Sequence, residues 1–309
     1  MRTSIVLIAI AFIACQNTET APPAGAAAAD TATTSRSAAP PQPTQISQGL
    51  QTPESVLYDA DQDVYFISNI NGQPLAADNN GYISRVNAET LQIEEKWIDA
   101  GHNGVKLNAP KGLGIAGDTL YVADLTVVRM FDRKSGAPKG EVAIPGSTFL
   151  NDVATAGTNV YVSDSVLKAG AGGNFEPTGT DAIWNIAGKT PSKIASGSSL
   201  NRPNGITVVN GRVWAVSFGA KELYRIENGT KAAVSTLPSG SLDGLIHLDD
   251  GSFLVSSWDG KAVYRGNNNS FHAVVENINA PADIGYDTKR QRLLIPHFMD
   301  NVVSIHPLK

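Results

Sequence analysis

The chain has 309 residues, of which 24 are basic and 29 acidic, for a formal net charge of −5. That balance leaves no basic stripe for a nucleic acid. A single cysteine excludes a disulfide framework and a cysteine-built zinc site, and five histidines without an H-E-x-x-H phrase argue against a zincin. Only 17% of the residues are charged, whereas Gly reaches 29 and Pro 17. Such a composition is rich in turns and poor in charge-laden surface helices.

Residues 1–14 read as a bacterial export signal. Arg2 supplies the positive end, and Ile5 to Ala14 form an apolar run too short to span a membrane, where about 20 residues are needed. The run ends Phe12-Ile13-Ala14-Cys15, which resembles a lipoprotein lipobox with Phe in place of the commoner Leu. Cys15, the only cysteine in the chain, is therefore the expected lipidation site and mature N-terminus. The alternative is an ordinary cleaved signal with a leftover cysteine. Gln16 in the next position, rather than Asp, points to an outer-membrane lipoprotein on the periplasmic side of the envelope. Residues 15–44 are almost pure Ala, Pro, Thr, Ser and Gly, unable to build a core, and read as a disordered tether. A coil of that length spans roughly 30 Å r.m.s..

From residue 45 to 309 one phrase recurs, a short anchor leading into alternating apolar residues. Its copies begin Pro53-Glu54-Ser55-Val56, Pro110-Lys111-Gly112-Leu113, Leu150-Asn151-Asp152-Val153, Pro203-Asn204-Gly205-Ile206, Leu242-Asp243-Gly244-Leu245 and Pro281-Ala282-Asp283-Ile284. Each is followed by a turn and a β-rich second strand, such as Val64-Tyr-Phe-Ile-Ser or Val213-Trp-Ala-Val-Ser. The turns between them carry hairpin chemistry, for example Gly117-Asp118, Asn210-Gly211 and Asp250-Gly251. Third strands such as Glu222-Leu-Tyr-Arg-Ile follow, and helical periodicity is absent. Six units of about 44 residues with four short strands each predict an all-β, six-bladed β-propeller, its blades antiparallel. The last copy has room for three strands, so Thr44 to Leu50 is expected to supply its outer strand and close the ring. Three long insertions, at residues 69–81, 99–109 and 165–181, should overhang the face on which the anchors begin, and loops of that length are usually functional.

The second residue of each anchor falls at the mouth of the central channel: Glu54, Lys111, Asn151, Asn204, Asp243 and Ala282. Four oxygen-bearing side chains without Cys or His suit a hard cation completed by water. The plain alternative is that they solvate a wet channel, and that Asn-Gly and Asp-Gly are turns. The segments from about residue 50 onward resemble the senescence marker protein/gluconolactonase family, which includes regucalcin. The resemblance implies a divalent cation held by Glu54, Asn204 and Asp243, with Asn151 of the Asn-Asp pair holding substrate. Ca²⁺ is the first choice, with Mg²⁺, Zn²⁺ or Mn²⁺ as alternatives. Sugar-lactonase members of the family carry Arg two residues before that Asn; Phe149 stands there, which points to a more apolar substrate. Lys111 adds a cation to the ring, either paired with Glu54 or holding an anionic group of a ligand.

The function this implies is metal-assisted hydrolysis of a lactone or ester, with Asp243 both ligand and general base. The alternative is a non-catalytic binding propeller similar to the NHL-type modules. No G-x-S-x-G elbow supports a serine hydrolase. His297, after the second strand of the last blade, is expected to be packed or solvated. The Gly112–Gly117 stretch spells G-x-G-x-x-G but precedes a strand, and Gly188-Lys189-Thr190 lacks the first glycine of a P-loop, so no nucleotide is expected. The expected partners are a small-molecule substrate and, through the N-terminal lipid, a membrane; the propeller is expected to be a monomer.

Overall fold

A computed structural model describes residues 43–165, 167–170 and 175–308. The export signal, Cys15 and nearly all of the tether lie outside the described residues. Strand β1 (Thr44–Ile46) opens the fold. The first blade is β2 (Pro53–Asp59), β3 (Val64–Asn69), β4 (Tyr82–Asn87) and β5 (Ile93–Asp99). The second is β6 (Pro110–Ala116), β7 (Thr119–Asp124), β8 (Val127–Asp132) and β9 (Pro138–Ala143). The third begins with β10 (Leu150–Ala156) and β11 (Asn159–Asp164). A small hairpin, β12 (Leu167–Ala169) and β13 (Phe175–Pro177), is inserted before its β14 (Ala182–Ala187) and β15 (Thr190–Ser196). The fourth blade is β16 (Pro203–Val209), β17 (Arg212–Ser217), β18 (Glu222–Glu227) and β19 (Thr230–Thr236). The fifth is β20 (Leu242–His247), β21 (Phe253–Ser257), β22 (Ala262–Asn267) and β23 (Ser270–Glu276). The sixth is β24 (Gly285–Asp287), β25 (Arg292–His297), β26 (Val302–Pro307) and, on its outer edge, β1. All-β, six-bladed and antiparallel within each blade, the architecture is the one the repeat predicts.

Ring closure follows the expected route. β1 pairs antiparallel with β26 through Thr44–Ile305, Gln45–Ser304 and Ile46–Val303. The apolar residues form six layers, one between each pair of neighbouring blades, and not a single central core. At the closing seam Tyr65 and Ile67 of the first blade pack with Leu294, Val303 and Ile305 of the last. The Tyr65 hydroxyl there donates to Asp287 Oδ2 at 2.6 Å.

The anchors are bulged strands, not turns. In β2, β6, β10, β16 and β20 the register slips between the first anchor residue and the fourth. A β-bulge of this kind re-aims one side chain, here the second anchor residue, toward the axis. Asn204-Gly205 and Asp243-Gly244 thus lie within strands, which corrects the turn alternative. Where the slip leaves an amide without a ladder partner, a serine on the second strand accepts it. Ser68 Oγ takes Ser55 N–H at 2.9 Å, Ser163 Oγ takes Asp152 N–H at 2.9 Å, and Ser256 Oγ takes Gly244 N–H at 2.7 Å. In the sixth blade the inner strand is shorter than predicted, because its anchor bonds across the seam instead. Asp283 N–H donates to the Glu54 carbonyl at 2.9 Å, and Val56 N–H donates to the Asp283 carbonyl at 3.3 Å.

Candidate functional site at the channel mouth

At the face where the anchors begin, a cavity of about 120 Å³ opens on the axis. Glu54, Lys111, Asn151, Asn204 and Asp243 all line it, as does Phe149, so the structure brings together every residue singled out for the site. Ala282, the sixth ring position, is buried and does not line it. A larger cavity of about 310 Å³ lies at the opposite mouth. It is walled largely by the far ends of the inner strands, and the ring side chains do not reach it.

Three oxygens distinguish the axial cavity. Glu54 Oε2, Asn204 Oδ1 and Asp243 Oδ1 are buried without a hydrogen-bond partner, and they come from three different blades. Buried polar atoms are rarely left unpaired, because desolvation is then uncompensated. The other oxygen of Asp243 is fixed, since the Trp258 indole N–H donates to Oδ2 at 2.7 Å. Among the described residues no three His, Cys, Asp or Glu side chains cluster as metal ligands. The cation fit therefore rests on two carboxylates and an amide oxygen, a donor set suited to a hard ion with water completing the shell.

Electrostatics set the ring apart from ordinary surface carboxylates. Burial first, then the charges of Asp243 and Asp283, hold the Glu54 carboxyl well above the usual range. Burial pushes Asp243 up to about 7, against the Trp258 hydrogen bond that holds it down. One layer below, Asp152 and Asp283 share a hydrogen bond, and burial is the main cause that raises both, Asp152 to about 6. Ser55 Oγ donates to Asp283, while Asp152 accepts the Ile206 amide at 2.7 Å. Lys111 makes no ion-pair contact with Glu54. Its Nζ donates to the Ala109 carbonyl at 2.9 Å and lies 4.5 Å from the Phe149 ring centroid. Burial pulls it down to about 8, with the Glu54 charge opposing.

In the second and third blades the aspartate that ends the second strand fixes the loop before the anchor. Asp124 Oδ1 accepts the Asn108 and Ala109 amides at 3.0 and 2.9 Å, which sets the carbonyl that holds Lys111. Asp164 Oδ1 accepts the Phe149 amide at 3.0 Å and sets that ring. Of the three insertions, the first supplies Ile70 and Pro74 to the cavity and the third supplies Ser165 and Leu167. The second braces the first through Asn79, whose Oδ1 accepts the Leu107 amide at 3.1 Å. His297 is packed, with Nε2 2.8 Å from Ser304 Oγ.

Sequence reasoning missed a second ring. The residue immediately after the second strand is Ile70, Leu125, Ser165, Phe218, Trp258 and Phe298 in successive blades, and all but Leu125 line the cavity. Those five amides each donate to the carbonyl that precedes an anchor: Thr52, Phe149, Arg202, Ser241 and Ala280, at 2.8 to 3.1 Å. Aligning the repeats on the second strand, and not on the anchor, would have exposed them.

No protein-family profile and no curated protein matches the sequence. Solved structures do match in shape. A luciferin-regenerating enzyme superposes with a TM-score of 0.60 at 10% identity, covering 86% of this chain and 96% of that one. A protein provisionally named a gluconolactonase superposes with a TM-score of 0.62 at 17% identity, covering 86% of this chain and 93% of its own. At such identities the likeness is one of fold, and the fold is the six-bladed propeller.

Proposed function

We propose that this protein is a divalent-cation-dependent hydrolase of a lactone or ester, tethered at the bacterial cell envelope through Cys15. The observation that carries the reading is the set of three unpartnered buried oxygens, Glu54 Oε2, Asn204 Oδ1 and Asp243 Oδ1, gathered from three blades onto one cavity. Both fold neighbours carry enzyme names, one of them a lactonase's, which supports hydrolytic chemistry.

Glu54, Asn204 and Asp243 would hold the ion, Ca²⁺ first and Mg²⁺, Zn²⁺ or Mn²⁺ as alternatives. When bound, such an ion polarises an acyl carbonyl and makes water more acidic. Asp243 takes the proton that water gives up as it adds to the acyl carbon. It returns that proton to the alkoxide freed when the acyl C–O bond breaks. The Trp258 N–H on Oδ2 fixes the orientation of the carboxylate. Asn151, braced by Ser165 Oγ at 3.3 Å, orients the carbonyl-bearing group. The Lys111 ammonium presents positive charge to oxygen atoms that become more negative during addition. Phe149 covers the ammonium and keeps water from it.

Asp243→Asn and Glu54→Gln, both nearly isosteric, should each lower turnover of a lactone or aryl ester by about 10²- to 10⁴-fold with the β-sheet circular dichroism retained. Unchanged turnover in both variants would overturn the mechanism. The envelope tether is tested separately: Cys15→Ser should abolish incorporation of labelled palmitate, and persistent labelling would contradict the anchor.

A further inference from the structure

The cavity is divided by polarity. Its floor is the ring of Glu54, Lys111, Asn151, Asn204 and Asp243, and its wall is the second ring with Phe149 added. In that wall the Phe218 and Trp258 rings meet edge to face at 5.6 Å, and Trp258 meets Phe298 at 5.1 Å. Three adjacent blades thus present one continuous aromatic surface, continued by Ile70 from the first blade. The wall has two polar side-chain groups, and both are engaged. Ser165 Oγ donates to the Pro203 carbonyl at 2.7 Å, and the Trp258 indole N–H is given to Asp243.

A polyhydroxylated ligand placed here would lose water from several hydroxyls and find no partner for them on the wall. A ligand with one polar head and a hydrocarbon body satisfies both halves. We infer that the site selects lactones or esters whose acyl or alcohol portion is an alkyl chain or an aryl ring, the carbonyl seated on the floor and the body against Phe218, Trp258 and Phe298. This assignment deepens the hydrolase reading and rests on it for the carbonyl head. The aromatic wall carries the rest independently.

The test separates the two. Unhydrolysable δ-lactams bearing no chain, a propyl chain or a pentyl chain are titrated calorimetrically into the full chain with Ca²⁺ present, beside Phe298→Ala. Phe298 is half-buried in a loop and its backbone hydrogen bond survives the substitution. Affinity should rise roughly fourfold per buried methylene, and that gain should shrink in Phe298→Ala. Hydrolysis of δ-decalactone should exceed that of glucono-δ-lactone by about 100-fold or more. A response flat with chain length, including no binding by any lactam, overturns the inference. So does preference for glucono-δ-lactone, although that result would leave the hydrolase reading intact. Chain-dependent lactam binding with no turnover of either lactone would sustain the inference and sink the hydrolase.

Discussion

Glu54, Asp152, Asp243 and Asp283 are buried around one axis, and of the four only the Glu54 carboxyl feels the Lys111 ammonium. Burial raises all four carboxyls, Asp152 to about 6 and Asp243 to about 7, from an ordinary 3.8 for an aspartate. In the cation-free protein the folded state therefore binds more protons than the unfolded chain between about pH 4 and 7, and stability falls as pH rises through that window. Lys111, lowered to about 8 from 10.5, acts in the opposite sense at higher pH. There the unfolded chain binds the extra proton, so stability recovers as pH rises above about 8. Thermal unfolding with a chelator present should show a midpoint that falls as pH rises from 5 toward 7, and a divalent cation should restore it by binding the ionised carboxylates. A chelated protein with the same midpoint from pH 5 to 8 would contradict this electrostatic account. The ring was legible because Glu54, Asn204 and Asp243 occupy one position of a repeated phrase. Asp152 and Asp283 stand one position further along the same phrase, and their burial below the ring became visible only with the bulge.

The blade's inner strand does two jobs, and its third anchor position shows how. That position is Ser55, Gly112, Asp152, Gly205, Gly244 and Asp283 around the ring. A Cβ on Gly205 would stand 2.2 Å from the Asp243 carbonyl oxygen, and one on Gly112 2.4 Å from Asp152 Cα. The glycines let neighbouring inner strands approach, and Ser55, Asp152 and Asp283 bring in polar groups at the remaining positions. Gly205→Ala should cost about 1–3 kcal/mol by overpacking and weaken cation binding, because it pushes on the backbone that carries Asp243. Denaturant unfolding together with cation titration checks both, and a variant as stable and as cation-competent as the parent would refute the close-approach argument. Strand existence was readable from alternation, and hairpin turns from pairs such as Asn210-Gly211. The bulge was not, because the slip arises from hydroxyls such as Ser68, Ser163 and Ser256 that sit a strand away in sequence.

Across the whole molecule the fold is a ring of six interblade layers, closed where β1 supplies the last blade's outer strand and where Arg290 binds Asp63 through two contacts of 2.7 Å. That closure was legible from a count, since the last copy of the repeat leaves room for three strands and the segment before the first copy supplies a fourth. Closing the ring brings anchor residues of five blades onto a single cavity, which is why the site belongs to no one blade. The aromatic wall stayed invisible for the complementary reason. Phe218, Trp258 and Phe298 follow second strands, and only the ring geometry carries those strand ends to one mouth. The central claim is that this mouth holds a divalent cation. Calorimetric titration of Ca²⁺, Mg²⁺, Mn²⁺ and Zn²⁺ into the chelator-treated full chain, beside Glu54→Ala, tests it most directly. The account predicts binding near one equivalent for at least one of the four ions, abolished in the variant. Binding that persists in Glu54→Ala, or none from any ion, would contradict it and leave a propeller whose cavity binds its ligand without metal.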